Sequence, residues 1–174
     1  MRGLQKKVFP RLPAGRQGFT LIEIIVSVTL LLLLSGLFIA NYTGFNNSQT
    51  VKKAASDLVA NLRAARTKAA SGVKPSSGCD TLTGYQVRFP ITSPYNTYKT
   101  QAFCETGAVG PTITYTLPAG VNFFLPLPAS VIFYALDRGA SAARTITLTD
   151  LRTTAKVSIF TSGIISDFVP TPTP

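Results

Sequence analysis

Residues 18–42 read Gly18-Phe19-Thr20-Leu21-Ile22-Glu23-Ile24-Ile25-Val26-Ser27-Val28-Thr29, then Leu30, Leu31, Leu32, Leu33 and Leu34, and finally Ser35-Gly36-Leu37-Phe38-Ile39-Ala40-Asn41-Tyr42. From 19 to 40 there is no proline, lysine or arginine, and Glu23 is the only ionisable side chain. As a helix the run covers about 33 Å, enough to cross a bilayer core of roughly 30 Å. A charge at the centre of such a helix costs on the order of 2.5–3.5 kcal/mol. Glu23 stands one turn from the end, where the cost is smaller, but a carboxylate there still asks for a partner. Taken alone, the run describes a signal-anchor helix that tolerates one acid.

What precedes it narrows the reading. Residues 1–17 hold Arg2, Lys6, Lys7, Arg11 and Arg16 with no acid, and Pro10 and Pro13 prevent a long helix there. Positive charge beside the first apolar segment keeps that side cytoplasmic, so the remainder is expected outside the inner membrane. The 174-residue chain carries a net charge of +10. Beyond the leader, twelve Lys and Arg face seven Asp and Glu, a net +5. Half of the basic excess is therefore a topology signal rather than evidence for nucleic-acid binding. An ordinary cleaved signal peptide fits poorly, because the run is too long and Phe38-Ile39-Ala40 has Phe where a cleavage site requires a small residue.

Behind that basic leader, Gly18-Phe19-Thr20-Leu21-Ile22-Glu23 resembles the processing site of type IV prepilins and type II secretion pseudopilins. The resemblance implies cleavage between Gly18 and Phe19 by a prepilin peptidase/methylase, which also N-methylates Phe19. It implies an assembly role for Glu23, whose carboxylate meets the terminal amine of a neighbouring subunit. Cutting there does expose an ammonium at Phe19, and a residue four positions on lies on the same helix face. The implied partners are that peptidase, other pilin or pseudopilin subunits and an inner-membrane assembly platform. A looser similarity to minor pseudopilins of the GspH/FimT type rests on Leu58, Leu62, Ala65, Arg66 and Ala69, then on Ile146, Leu148, Val157, Ile159 and the 162–165 run. The kinking proline frequent in that family near 36–42 is absent here.

From 50 to 71 an apolar stripe falls at steps of three and four: Val51, Ala55, Leu58, Leu62, Ala65 and Ala69. Gly72 and Pro75 supply a stop. One nearly continuous helix over 19–70 is predicted, its first half in the membrane and its second half packed on a head. Gly36, Ala40 and Gly44 form a small-residue row that suits close helix packing, or are simply glycines and alanine of a membrane helix. After 75 the period changes. Residues 84–89, 98–104, 112–117, 121–125, 131–135, 144–149 and 156–161 are short runs rich in Val, Ile, Thr, Tyr and Phe, parted by turn formers. They read as antiparallel strands, the last two as a hairpin. The 169–174 Pro/Thr tail is expected to be extended or disordered, unable to donate a regular ladder. The expected fold is α+β, type IV pilin-like: a leader 1–18, a transmembrane and assembly helix 19–42, its amphipathic continuation 43–72, a β-rich head 73–168 and the tail.

Cys79 and Cys104 would close a loop worth roughly 3–4 kcal/mol as a disulfide, and an exported location favours that over two free thiols. With no histidine in the chain, Ser-His-Asp and Cys-His catalysis and His-containing metal sites are excluded. Ser71 and Lys74 have Ser-x-x-Lys spacing, but at a helix end beside Pro75, where chance is the better account. The scattered acids read as turn and cap residues. No enzyme, metal or cofactor is expected. Lys52, Lys53, Arg63, Arg66 and Lys68 are the candidates for phosphate contact if the chain is a DNA-binding uptake pilin, against solubility as the plainer role. The expected function is structural, a minor subunit of a type IV pilus or secretion pseudopilus, first single-pass in the bacterial inner membrane and then in a periplasmic or surface fibre. The alternatives are the DNA-binding pilin and a membrane-anchored exported domain that never polymerises.

Overall fold

The structure, a computed structural model, describes residues 19–166 and 169–172, with side chains described except at 36–44 and 169–172. The leader 1–18, including Gly18, and residues 167, 168, 173 and 174 lie outside the described residues. Helix α1 is Leu21–Ala70. The chain divides into two units at residues 40 and 41, and each is described by itself.

In the first unit the helix begins after Thr20, whose side-chain oxygen accepts from the Glu23 backbone N–H at 3.3 Å. The Thr20 carbonyl accepts from the N–H groups of Glu23 and Ile24 at 3.1 and 3.2 Å. Thr20 is thus the N-cap and Glu23 the third helical position, the two residue types of a capping box. Ser27, Thr29 and Ser35 each donate their hydroxyl to the carbonyl four residues back, which satisfies these polar groups within an apolar helix.

In the second unit α1 buries Val51, Ala54, Ala55, Leu58, Val59, Leu62, Ala65 and Ala69. All six members of the predicted stripe are among them, joined by Ala54 and Val59, which widen the buried face. Each fully buried leucine contributes about 1.5–3 kcal/mol. Ser71 N–H bonds the Thr67 carbonyl, and Gly72 follows at φ 64°, the left-handed residue that ends a helix without strain.

The strands are β1 Leu82–Arg88, β2 Thr97–Cys104, β3 Gly107–Thr116, β4 Asn122–Phe123, β5 Ser130–Tyr134, β6 Arg144–Thr149, β7 Thr153–Ile159 and β8 Val169–Pro172. They form two antiparallel sheets, ordered β3-β2-β1-β5 and β4-β6-β7-β8. The α+β arrangement of helix followed by antiparallel sheet is the expected one, with the strands divided between two sheets. In the second sheet Ile146, Leu148, Ala155, Val157 and Ile159 are buried while Thr145 and Lys156 face out, the alternation read from sequence. Val87 and Phe133 of the first sheet join those residues and the α1 stripe in one core. At Gly84 a Cβ would fall 2.0 Å from the Phe133 carbonyl oxygen, so only glycine lets β1 approach β5 there.

The tail differs from expectation. Residues 169–172 pair with β7 from Lys156↔Val169 to Thr153↔Pro172. An edge strand needs donors on one side only, and Pro170 and Pro172 alternate with Val169 and Thr171, so the prolines are tolerated at the sheet's outer edge.

Candidate functional site

Fourteen of the fifteen residues from Leu21 to Ser35 are uncharged, and the large apolar ones are exposed around the whole helix: Leu21, Ile22, Ile24, Ile25, Val26, Val28 and the leucines 30–34. A helix apolar on every face has no solvated side and must be covered by lipid or by other apolar helices. Among the described residues no helix is long and apolar enough to cross a membrane. The side chains that complete the run in the sequence, at 36–44, lie outside the described set.

Phe19 is exposed immediately ahead of the helix. Glu23 is exposed in the first turn, and among the described residues its carboxylate meets no cation. The helix N-terminus carries partial positive charge, which favours an acid in the first turn and disfavours an ammonium there. An amine created at Phe19 would therefore sit against an unfavourable dipole, which an acid in the first turn would offset. Thr20 is the residue that the sequence reading left without a role. Its signal was present as Thr20-x-x-Glu23, the spacing of a helix start.

The other predicted residues do not assemble into one site. At about 100° per residue, Lys52, Arg63 and Arg66 fall on one flank of the buried stripe of α1, while Lys53 and Lys68 lie towards its other side. Arg66 is committed to Asp137, with Nη2 2.9 Å from Oδ1. Ser71 donates to the Thr67 carbonyl at 2.8 Å and Lys74 to the Asp80 carbonyl at 2.6 Å, so each is engaged away from the other. Cys79 and Cys104 are joined in a disulfide with their Cα atoms 5.7 Å apart, tying the segment after α1 to the end of β2. Among the described residues no three His, Cys, Asp or Glu side chains gather as a metal site.

A cleft beside α1 is lined by Asp57, Asn61, Tyr98, Tyr115 and Leu117. Asn61 donates to the Tyr98 hydroxyl at 2.7 Å, and the Tyr98 and Tyr115 rings stack at 5.0 Å. Burial is the main cause that pushes the Tyr98 hydroxyl up to about 12, with the Asn61 bond opposing it. That hydroxyl stays protonated at any physiological pH.

The prokaryotic N-terminal methylation motif matches residues 13–39 of the chain. No curated protein and no solved structure matches it.

Proposed function

Starting from a chain of the type IV prepilin-like family, whose N-terminal methylation motif it carries, we propose that it is a minor structural subunit of a type IV pilus or a type II secretion pseudopilus. The motif implies processing by a prepilin peptidase, assembly with other pilins and membrane anchoring. In this reading the peptidase cuts after Gly18 and methylates the new amine of Phe19. The subunit waits in the inner membrane with its leader cytoplasmic and its head outside. An assembly platform then draws it into a fibre held by packing of the apolar helices. Glu23 pairs there with the amine of a neighbouring Phe19. The looser GspH/FimT-type similarity of the 58–69 stripe and the closing strands supports a minor rather than a major role.

The observation that carries the proposal is the conjunction, at one helix start, of the matched motif, the Thr20 cap, a first-turn acid at Glu23 and an all-apolar surface behind them. Its test is the N-terminus of the mature protein isolated from its native cell. Mass spectrometry is expected to find N-methylated Phe19 as the first residue. An N-terminus still at Met1 in fully exported protein overturns the proposal.

A further inference from the structure

Strand β3 is an edge of the first sheet, and its halves differ. Before Pro111 it is overlain by the segment after α1: a Cβ at Gly110 would lie 2.8 Å from Pro75, and one at Gly78 would lie 3.2 Å from Val109. From Thr112 to Thr116 the inner side pairs with β2, through Thr100↔Ile113, Lys99↔Thr114, Tyr98↔Tyr115 and Thr97↔Thr116. The outer side of these five residues has no backbone partner among the described residues. Exposed edges in natural proteins are usually blunted by a charge or a proline. Neither stands at 112–116, and residues 106–136 contain no charged side chain at all.

We propose that this edge pairs antiparallel with the same edge of a second copy of this chain, about a two-fold axis at Thr114. The occupant is indicated by the sequence itself: Thr112-Ile113-Thr114-Tyr115-Thr116 is self-complementary about its centre, apart from the exchange of Ile113 and Tyr115. Antiparallel pairing sets Thr112 against the partner's Thr116 and Thr114 against its own copy, on the face that also carries Thr97 and Lys99. On the other face Ile113, 40% exposed in the single chain, meets the partner's Tyr115, whose equivalent here is already stacked on Tyr98. Threonine pairs and aromatic with β-branched pairs are the favourable cross-strand combinations. Pro111, which has no N–H to give, ends the pairing at Thr112. The contact is isologous and closes on itself, so it yields dimers and not open chains. Five residues bury less than the roughly 1,200 Å² at the low end of stable interfaces, so pairing depends on concentration and is strengthened where copies share a membrane or a fibre. It does not rest on the processing or fibre reading above.

The test uses the full chain in detergent, with single cysteines added and oxidised at rising protein concentration. Thr114→Cys is expected to give a dimer that reduction dissolves. Thr116→Cys alone is expected to stay monomeric, because the register separates the two copies of that position by about 14 Å along the strand, beyond the roughly 7 Å limit for disulfide Cα atoms. Mixing Thr112→Cys with Thr116→Cys restores cross-linking. Thr114→Lys, which sets two cations face to face, is expected to remove pairing while leaving the melting of the head unchanged. Equal cross-linking at 114 and 116, dimers only through the helix, or capture of 114 by a different protein in place of its own copy each overturn the proposal.

Discussion

Arg66 on α1 and Asp137 in the turn after β5 form a forked ion pair: Arg66 Nη2 lies 2.9 Å from Asp137 Oδ1, and Nε lies 3.2 Å from the same oxygen. The two side chains are 33% and 56% exposed, so solvent screens the attraction. Their residues are distant in sequence, and the pair fastens the helix to the turn that follows β5. Arg66→Ala and Asp137→Ala are each expected to cost about 0.2–1 kcal/mol in denaturant unfolding of the full chain. The double variant should cost no more than either single one. Most of the effect should vanish at about 1 M salt, where the screening length is near 3 Å. Fully additive losses would mean that the two residues act separately.

The same turn holds a residue in the wrong conformation for its type. Leu136 has φ 59° and ψ 36°, and its side chain is 75% exposed. A left-handed conformation costs a non-glycine residue roughly 1–2 kcal/mol, and here no burial of the leucine offsets it. Leu136→Gly is therefore expected to raise stability by about 1 kcal/mol, despite the added freedom of glycine in the unfolded chain. A lower melting temperature for this variant would show that the leucine makes a stabilising contact.

Tyr98 gives the head an alkaline limit. Its hydroxyl, raised by burial to about 12 from an ordinary value of 10.0, holds its proton longer in the folded chain than in the unfolded one. The folded state therefore binds more protons between these values, and stability falls as pH rises from about 10 to about 12. Below pH 10 the contribution is complete and constant. Tyr98→Phe removes this pH dependence, and also the bond from Asn61, so the variant should be less stable at pH 8 yet flatter above pH 10. Unfolding curves across that range decide it, and an unchanged alkaline slope would count against the assignment.

The disulfide is expected to matter by constraining the unfolded chain. Cys79 and Cys104 are 25 residues apart, and Cys104 is buried beside Leu82, Ala102 and Ala135. Replacing both cysteines by alanine should lower stability by about 3 kcal/mol. Chemical reduction of the wild type should produce a loss of similar size, since it opens the same loop. A loss from substitution with none from reduction would assign the effect to packing of Cys104.

Much of this was legible because period is a local property. The stripe from Val51 to Ala69 repeats every three or four residues, and all its predicted members are buried. The alternation in β6 and β7 likewise fixed which side chains face in. Pairings between distant segments were not legible. The seven predicted strands carry no mark saying that β4 joins β6 while β5 joins β1, so the division into two sheets came only from the structure. The pairing of 169–172 was missed because proline was weighed as a lost donor, without the alternation that turns it to the open side. Arg66 looked like one of several free cations, since nothing local announces an acid 71 residues away. At the candidate site the helix start was fully local, yet Thr20 escaped notice because Glu23 already had an explanation.

That double occupation of Glu23 makes the last prediction. As the third residue of α1 it sits where a helix start favours Glu or Gln, with Thr20 as the cap. As an acid one turn from a processed terminus it can neutralise an amine. Glu23→Gln separates the two roles, because glutamine keeps the helix-start preference and the size but gives up the charge. Thr20→Ala does the converse, removing a cap worth about 1 kcal/mol while sparing the carboxylate. If charge pairing with Phe19 drives assembly, the Glu23→Gln chain is cleaved and methylated normally but enters fibres poorly, whereas Thr20→Ala frays the first turn and still assembles. Immunoblots of cell-bound and sheared fractions, with N-terminal mass spectrometry of both, read the two steps separately. Wild-type fibre levels from the Glu23→Gln chain would leave Glu23 as a helix-start residue only, and the amine at Phe19 would need another partner.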